Sequence, residues 1–332
     1  MAILVVGGAG YIGSHAARAL RRHGYEVFIY DNLSTGYRLL ADGFDLVVGD
    51  IADSDRLAPV MRRVEAVMHF AAFAYVGESV ENPRKYFQNN VNAALNLLNT
   101  AQECGVRHFV FSSTCAVYGV PAKVPIDEAT PREPVNPYGA SKLFFEYALQ
   151  AYSRAYGMNY ASLRYFNAAG ADESGEIGEL HNPETHLIPL ALAAATEGGA
   201  PLRIFGNDYP TPDGTCIRDY IHVNDLAEAH VLALKKLMSD GDSFAVNLGT
   251  GTGYSVREVM MAVEQVTGNK AAYEVAPRRA GDPPALVADA SRARDLLGWK
   301  ATRNLQDIVA TAWNWKQRQI AKQAEAAALP KN

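Results

Sequence analysis

The sequence predicts an α/β fold: a doubly wound parallel sheet accompanied by a smaller, interleaved α/β domain. Two observations lead to this prediction. Short apolar runs alternate with helical stretches through the first half of the 332 residues, a spacing typical of a parallel sheet covered on both faces. Beyond residue 166, segments rich in Gly, Asn and Pro interrupt this alternation, and long loops of this kind in a compact domain are usually functional.

The predicted strands are short apolar runs that end in turns or polar residues. In the first half they cover 3–6, 27–30, 46–48, 66–70, 109–112 and 160–164. Helices are predicted between them at 14–23, 90–104 and 142–156. Further along, we predict a strand over 217–223, then a helix over 226–238 capped by Asn224 and Asp225. A last strand over 244–248 is expected to return to the main sheet.

Composition excludes several functional classes. The net charge of −5 gives no general attraction for nucleic acid or an anionic membrane. No apolar run approaches the ~20 residues that span a bilayer, and the periodicity starts at Ile3, which leaves no room for a signal peptide. Three scattered cysteines suit neither a disulfide framework nor a zinc site. We therefore expect a cytoplasmic protein without a metal site and without nucleic-acid or membrane partners.

A glycine-rich turn joins the first predicted strand to the first predicted helix. Gly7, Gly10 and Gly13 follow the spacing G-x-x-G-x-x-G rather than the G-x-G-x-x-G of the common dinucleotide fingerprint. Glycines here let backbone N–H groups approach a pyrophosphate at the helix N-terminus. We predict a Rossmann-like dinucleotide-binding domain over 1–166, with returning segments near 217–248. Residues 167–332 are expected to form mainly the substrate domain.

Asp31, at the end of the second predicted strand, indicates which dinucleotide binds. A carboxylate at this place accepts hydrogen bonds from ribose hydroxyls and repels a 2′-phosphate. No arginine follows before Arg38. NAD is therefore favoured over NADP. Asp50 and Ile51, after the third strand, are candidates for holding the adenine, although an aspartate at a strand end is often only part of a turn.

The catalytic prediction rests on Tyr138 and Lys142, which lie one helical turn apart. A free tyrosine has a pKa of about 10 and is a poor base at neutral pH. A nearby lysine charge, added to that of oxidised nicotinamide, is expected to lower this pKa so that the phenol can accept a hydroxyl proton. Thr114, at the end of the strand over 109–112, is the expected third member. Its hydroxyl would share the proton of the substrate.

With these residues the chain resembles the extended short-chain dehydrogenases/reductases, and among them the UDP-glucose 4-epimerase family. The resemblance runs from Ile3 to about Trp315. Its most specific strings are 206–223 (GNDYPTPDGTCIRDYIHV) and 278–282 (RRAGD). The other matching strings are 7–15 (GGAGYIGSH), 31–33 (DNL), 69–72 (HFAA), 76–79 (VGES), 138–142 (YGASK) and 163–167 (LRYFN).

The resemblance implies a reaction and its binding residues. Tyr138 would take the proton from the 4′-hydroxyl of a UDP-sugar while a hydride leaves C4′ for tightly bound NAD. The 4-keto sugar would then turn over and take the hydride back on its other face. Implied cofactor-binding residues are Gly7, Gly10, Tyr11, Ile12, Gly13, Asp31, Asn32, Asp50, Ile51, Phe70, Ala71, Ala72, Asn89, Ser112, Tyr138, Lys142 and Tyr165. Implied substrate-binding residues are Thr114, Tyr138, Asn167, His186, Phe205, Arg218, Arg279 and Asp282.

Some implications of the resemblance stay open. Where some members carry a lysine near the nicotinamide, this chain has Ala74. The position that gates bulk on the sugar matches Leu286, which leaves N-acetylated and pentose UDP-sugars as alternative substrates. His186 replaces an asparagine of many relatives, so its role is undecided. A homodimer through 90–104 and 142–156 is expected from the resemblance alone.

Rival functions are less favoured. A nucleotide-sugar 4,6-dehydratase needs an acid and a base beside the threonine, and here Cys115 and Ala116 follow Thr114. A decarboxylase of UDP-glucuronate is less firmly excluded. A non-catalytic NAD-binding scaffold would have little reason to keep Tyr138, Lys142 and Thr114 together.

Overall fold

A computed structural model of the chain describes residues 1–279 and 281–328, with side chains described up to residue 321. Ala280, inside the string 278–282, and residues 329–332, at the end of the expected substrate domain, lie outside the described part. In that part, seven parallel strands form the large sheet, in the order β10-β6-β5-β4-β1-β2-β3. They are β1 (Ala2–Val6), β2 (Glu26–Asp31), β3 (Asp45–Val48), β4 (Ala66–His69), β5 (His108–Thr114), β6 (Asn159–Tyr165) and β10 (Phe244–Leu248).

Helices cover both faces of this sheet. On one face are α1 (Tyr11–Arg22) and α8 (Val223–Asp240), and on the other α2 (Ser54–Met61), α5 (Ala94–Glu103) and α6 (Pro137–Tyr156). Neighbouring residues of β1 point to opposite faces, so Ile3 packs in the core with Leu20 of α1, whereas Leu4 packs with Phe145 of α6. Burial on both faces explains why β1 is entirely apolar.

Between β4 and α5 the chain forms two short helices and a π-helical turn. These are α3 (Val76–Glu81), α4 (Pro83–Phe87) and the π-helix Gln88–Ala93. The sequence predicted one helix over 90–104, so the π-turn is a correction. A π-turn adds a residue to the helical turn and is frequent at functional sites.

The second half forms two small sheets and their helices. One sheet contains β7 (Asn167–Ala169), β9 (Ile217–His222), β11 (Gly253–Ser255) and β13 (Ala285–Leu286); the other pairs β8 (Leu202–Phe205) with β12 (Tyr273–Ala276). The helices are α7 (Leu187–Ala194), α9 (Val256–Thr267), α10 (Ser291–Leu297) and α11 (Leu305–Ala328). A separate apolar core joins α7, α9 and α11. Within the described residues, no helix combines the length and apolar character needed to cross a bilayer.

The fold class is confirmed, and the strand positions agree with the prediction to within a few residues. Of the returning segment, β10 joins β6 in the large sheet and α8 packs against α1, whereas β9 pairs within the second sheet. The predicted cap of α8 is wrong. Its helix begins at Val223, because the Nδ1 of His222 accepts the N–H of Asn224 at 3.1 Å. Asn224 and Asp225 therefore lie inside the first turn.

Candidate active site

Two glycines build a cradle where β1 meets α1. Gly7 has φ of +81°, and a Cβ there would lie 2.5 Å from the backbone nitrogen of Ala71. A Cβ on Gly13 would lie 2.2 Å from the carbonyl oxygen of Gly7. Side chains at either position would therefore block the turn. These residues fit a dinucleotide. Without side chains at Gly7 and Gly13, a phosphate can approach the N–H groups at the N-terminus of α1.

Gly10 precedes the first residue of α1, which is Tyr11, with Ile12 next. The hydroxyl of Tyr11 donates to the carbonyl of Gly170 at 2.7 Å, so it ties the glycine turn to the loop after β7. Phe70, Ala71 and Ala72 directly follow β4, the strand that pairs with β1. The N–H groups of the first two donate to the carbonyl of Val6, at 2.7 and 3.1 Å.

Asp31 is buried at the end of β2 and holds the glycine turn in place. Its carboxylate accepts the N–H of Ala9 at 3.0 Å and that of Leu33 at 2.8 Å. Burial raises the pKa of this carboxyl, and the two amide hydrogen bonds oppose the rise. A carboxylate has about four acceptor positions, so two remain for ribose hydroxyls.

Next to Asp31, Asn32 donates to the carboxylate of Asp50 at 2.8 Å. Asp50 and Asn89 both line an open cleft of ≈ 650 Å³ beside the π-helix. Ile51 is buried, and its carbonyl accepts the amide of Asn96 at 2.8 Å. Asp50 and Asn89 therefore present polar atoms to one cleft, whereas Ile51 contributes packing below it.

Tyr138 lies in the first turn of α6, next to the carboxyl end of β5. The helix begins at Pro137, five residues before the predicted start, because the side chain of Asn136 accepts the N–H of Gly139 at 2.8 Å. Burial raises the pKa of the Tyr138 phenol, and the nearby side chain of Thr114 opposes this rise. Thr114 accepts the N–H of Ala116 at 3.1 Å, so its hydroxyl proton remains available for the phenol or a substrate.

Lys142 is buried behind Tyr138. Its Nζ donates to the carbonyl of Ser112 at 2.8 Å and lies 6.0 Å from the centre of the Tyr138 ring. Burial lowers the pKa of Lys142 to about 7 and raises that of Tyr138 to about 12. The expectation that the charge of Lys142 and that of oxidised nicotinamide together lower the tyrosine pKa stays a prediction. Low-dielectric surroundings disfavour both charged forms, so a phenolate needs the further positive charge of a bound cofactor.

Two further contacts lie near Tyr138 and Lys142. Ser112 and Tyr165 were predicted from the resemblance alone, whereas Asn90 was not predicted as a site residue. The hydroxyls of Ser112 and Tyr165 form a hydrogen bond across β5 and β6. The amide of Asn90 donates to the carbonyl of Phe73 at 2.9 Å and to the hydroxyl of Ser141, on α6, at 3.2 Å. Asn90 therefore connects the loop after β4 to the catalytic helix. Its position in the π-helix could not be recognised from periodicity.

A buried ion pair supports the end of β5 from below, and the sequence analysis did not identify it. The guanidinium of Arg164 forms two hydrogen bonds with the carboxylate of Glu146, at 2.9 and 2.6 Å. Glu146 also accepts the hydroxyl of Ser113 at 2.6 Å, and Arg164 donates to Tyr118 at 2.9 Å. Ser113 precedes Thr114, so this network holds the strand that carries the predicted catalytic hydroxyl.

Four of the predicted substrate residues meet at one end of the small sheets. Arg218 forms an ion pair with Asp282. The guanidinium of Arg279 lies 4.0 Å over the ring of Phe205. Leu286 pairs with Arg218 in the sheet register and packs against the same apolar cluster as Cys115, which directly follows Thr114. Arg218 therefore lies near the carboxyl end of β5. Asn167, at the start of β7, is held by a hydrogen bond to the carbonyl of Asp219 at 3.2 Å.

His186 contacts two carboxylates rather than the arginines of the predicted substrate site. Its Nδ1 lies 2.6 Å from a carboxylate oxygen of Glu179 and 3.3 Å from one of Glu184. Although burial lowers it, these carboxylates raise the pKa of His186 to about 10. No hydrogen bond or ion pair among the described residues joins His186 to Arg218 or Arg279. The imidazole belongs to a separate cluster with His181, which the sequence analysis overlooked.

The glycine cradle at the end of β1 and the tyrosine–lysine pair beside β5 define a class of protein. Its members bind a dinucleotide at the carboxyl edge of a parallel sheet and transfer a hydride to or from a substrate hydroxyl carbon. Comparison with known proteins agrees with this class. The chain belongs to the NAD dependent epimerase/dehydratase family, whose model matches residues 3–249.

Relatives that match nearly the whole chain indicate a narrower group within this family. The chain is 50% identical over 318 residues to a UDP-glucose 4-epimerase of Rhizobium meliloti, covering 95% of this chain and 97% of the relative. The structure is similar to a UDP-glucose 4-epimerase from Brucella ovis in complex with NAD, with a TM-score of 0.91, 51% identity, and coverage of 94% and 97%. A UDP-glucose-4-epimerase of Stenotrophomonas maltophila, with bound NAD and formylated UDP-arabinopyranose, gives a TM-score of 0.93 at 41% identity, covering 97% and 99%.

Proposed function

We propose that the protein is a UDP-glucose 4-epimerase, which interconverts UDP-galactose and UDP-glucose with tightly bound NAD. The observation that carries this proposal is the pairing of Tyr138 with Lys142, whose Nζ lies 6.0 Å from the centre of the tyrosine ring and donates to the carbonyl of Ser112 in β5. In the same sheet, strand β1 leads into the glycine cradle. Relatives about 50% identical over nearly the whole chain bear that name. Bound NAD supplies the reversible oxidation at C4 of the sugar.

The residues of the chain move and hold the proton. Tyr138 accepts the proton of the sugar 4-hydroxyl at its phenolic oxygen and returns it to the product. Thr114 keeps its hydroxyl beside that oxygen and shares the proton. Lys142 is anchored on the Ser112 carbonyl and supplies a positive charge that favours the phenolate. Because C4 is oxidised and then reduced again, the reaction has no net redox change.

The nucleotide end of the substrate is proposed to lie at Arg218 and Arg279. Arginine suits bidentate contact with a diphosphate, and Asp282 orients the guanidinium of Arg218 through their ion pair. Phe205 supports Arg279 through ring stacking. Leu286 pairs with Arg218 and packs against the same cluster as Cys115, the residue after Thr114. This proximity supports one extended ligand that reaches from Arg218 to Tyr138.

A dehydratase reaction is disfavoured by the residue after Thr114. That chemistry needs an acid and a base in this place, and burial raises the pKa of the Cys115 thiol to about 12. A thiol of this kind stays protonated and does not serve as a base near neutral pH. Epimerisation needs only the tyrosine as proton acceptor and donor.

A pentose UDP-sugar is the second candidate substrate. The structure of the Stenotrophomonas maltophila relative contains bound formylated UDP-arabinopyranose. Leu286 pairs with Arg218 in the sheet register and packs near Cys115, which supports its proposed role as the gate for sugar size. Its moderate size leaves N-acetylated sugars as a further alternative.

A homodimer, a cytoplasmic location and a role in galactose metabolism stay predictions. In support of the dimer, α6 leaves the large apolar side chains of Phe144 and Tyr147 about half exposed, at 49% and 48%. Light scattering at micromolar concentration tests this prediction, and a monomer would contradict it.

The experiment for the function uses purified protein incubated with UDP-galactose and no added NAD. Chromatography should find UDP-glucose, and released NAD should be near one per chain after denaturation. The variant Tyr138→Phe should keep its NAD and lose turnover, while His23→Gln, far from the site, should keep both. Absence of UDP-glucose even with NAD supplied would reject this substrate, and full activity of Tyr138→Phe would reject the tyrosine as the base.

A further inference from the structure

The loop before α7 gathers four potential metal ligands. Glu179, His181, Glu184 and His186 each point one ligand atom inward, and these atoms all lie within 4.8 Å of one another. The residues alternate along eight positions of the chain as E-x-H-x-x-E-x-H. From the sequence we expected no metal site, because the three cysteines offered none and histidines were considered one at a time.

Three of four measured separations between the ligand atoms are close to those around a small divalent cation. Bonds of about 2.0–2.2 Å in a tetrahedron place ligand atoms about 3.3–3.6 Å apart. The Nδ1 of His181 lies 3.2 Å from an oxygen of Glu179 and 3.6 Å from one of Glu184. The Nδ1 of His186 lies 3.3 Å from Glu184 and 2.6 Å from Glu179. Of these four separations, the last one would have to lengthen around an ion.

An unpaired buried oxygen gives independent support. The Glu179 side chain is only 6% exposed, and its Oε1 makes no hydrogen bond although two imidazole nitrogens lie next to it. The Nδ1 of His181 is likewise buried without a hydrogen bond. Buried polar atoms nearly always have a partner, and exceptions call for an unseen ion or water. These atoms lie within ion-pair distance of one another, yet without the alignment of a hydrogen bond.

We propose that Glu179, His181, Glu184 and His186 form a structural site for a divalent transition metal, with zinc as the best fit. A metal would displace the protons of the imidazoles, and two neutral imidazoles with two carboxylates then balance the charge of a divalent cation. Nitrogen and oxygen ligands in a tetrahedron are typical of zinc, and four protein ligands close the site as in structural rather than catalytic centres.

The location indicates what the metal would hold together. The ring of His181 packs edge-on against Tyr11, in the first turn of α1, at 6.3 Å between ring centres, and against Tyr75 at 5.9 Å. Tyr75 also donates to the carbonyl of Pro183 at 3.3 Å. A metal here would therefore fix the loop 179–186 against the glycine turn and the loop after β4. It would do so independently of the proposed reaction.

Metal content of the purified, untagged protein tests the proposal. After gel filtration in metal-free buffer, mass spectrometry of the elements should find about one zinc per chain, or zinc should bind with that stoichiometry when added. Cobalt added to chelator-treated protein should give the visible absorption of a tetrahedral site. His181→Gln and Glu184→Gln should each weaken zinc binding by more than the about 10–100-fold that loss of an outer-shell partner costs.

His23→Gln serves as the matched control, since His23 lies 2.7 Å from Glu228 in an ordinary surface pair. It should retain the metal. Bound NAD and the melting temperature report whether each variant is folded. The proposal is overturned if the wild-type protein neither retains nor binds a stoichiometric metal, in which case the four groups form metal-free ion pairs. It is also overturned if the two ligand variants keep zinc as tightly as His23→Gln does.

Discussion

Replacing Gly7 by alanine should damage both stability and cofactor binding. The residue has φ of +81°, and this left-handed conformation costs a residue with a Cβ about 1–2 kcal/mol. The new Cβ would also lie 2.5 Å from the Ala71 nitrogen and 2.8 Å from the Phe70 carbonyl carbon. These are backbone atoms that cannot rotate away, and overpacking of this kind costs about 1–3 kcal/mol. The expected loss is therefore about 2–5 kcal/mol in total.

Two matched glycines separate the two causes. Gly24 has φ of +82° with nothing within 4 Å of a built Cβ, so Gly24→Ala carries the conformational cost alone. Gly13 lacks the positive φ but has the carbonyl oxygen of Gly7 2.2 Å from its built Cβ, so Gly13→Ala carries the steric cost. Urea unfolding measures the free energy of unfolding of each variant, and absorbance after denaturation measures bound NAD.

We expect Gly24→Ala to lose about 1–2 kcal/mol and to keep its NAD. Gly7→Ala and Gly13→Ala should lose bound NAD, because the turn shifts to relieve the clash and NAD binding must then restore it. Every ~1.4 kcal/mol that this restoration costs lowers the affinity about tenfold. If Gly7→Ala were no less stable than Gly24→Ala and still carried NAD, the close approach of the turn to the loop after β4 would not be what requires glycine.

Three further predictions follow from the buried charges. Lys142→Met should raise the free energy of unfolding of the NAD-free chain at pH 7 and raise it less near pH 10, because burial lowers the lysine pKa from 10.5 to about 7. The free-energy cost of burying the charged lysine is fully present below the folded pKa. It fades as the pH rises toward the pKa of the unfolded chain. Equal effects at both pH values would contradict this. Arg164→Met should lose about 3–5 kcal/mol by leaving Glu146 without its buried partner, and adding Glu146→Leu should recover most of it in the same urea assay; no recovery would argue against the ion pair as the cause. Arg218→Met should raise KM for UDP-galactose about 10- to 100-fold, the equivalent of about 1.5–3 kcal/mol for a hydrogen bond to a charged group, while an unchanged KM in steady-state kinetics would place the diphosphate elsewhere.

The sequence was most informative where one local constraint decides the structure. The apolar runs predicted the strands of the large sheet because burial on both faces leaves little choice of residue. Gly7 and Gly13 predicted the cradle because a turn this tight excludes a Cβ. Tyr138 and Lys142 were placed on one face because four residues make about one helical turn.

Contacts between distant segments could not be read in this way. The pairing of Glu146 with Arg164 depends on α6 lying across β6, and neither residue carries a local signal. The π-turn that contains Asn90 does not alter the apolar pattern enough to be noticed. The start of α8 was misplaced because an imidazole rather than the expected Asn or Asp caps it.

The sequence by itself therefore determined the fold class, and it predicted the dinucleotide turn and the reacting side chains. Each depends on residues close together in the chain or on a steric rule that a single residue obeys. Only the tertiary structure decided the protonation preferences of Tyr138 and Lys142 and the grouping of His181 with His186. Burial and through-space distances set these properties, and both arise only when distant segments pack together.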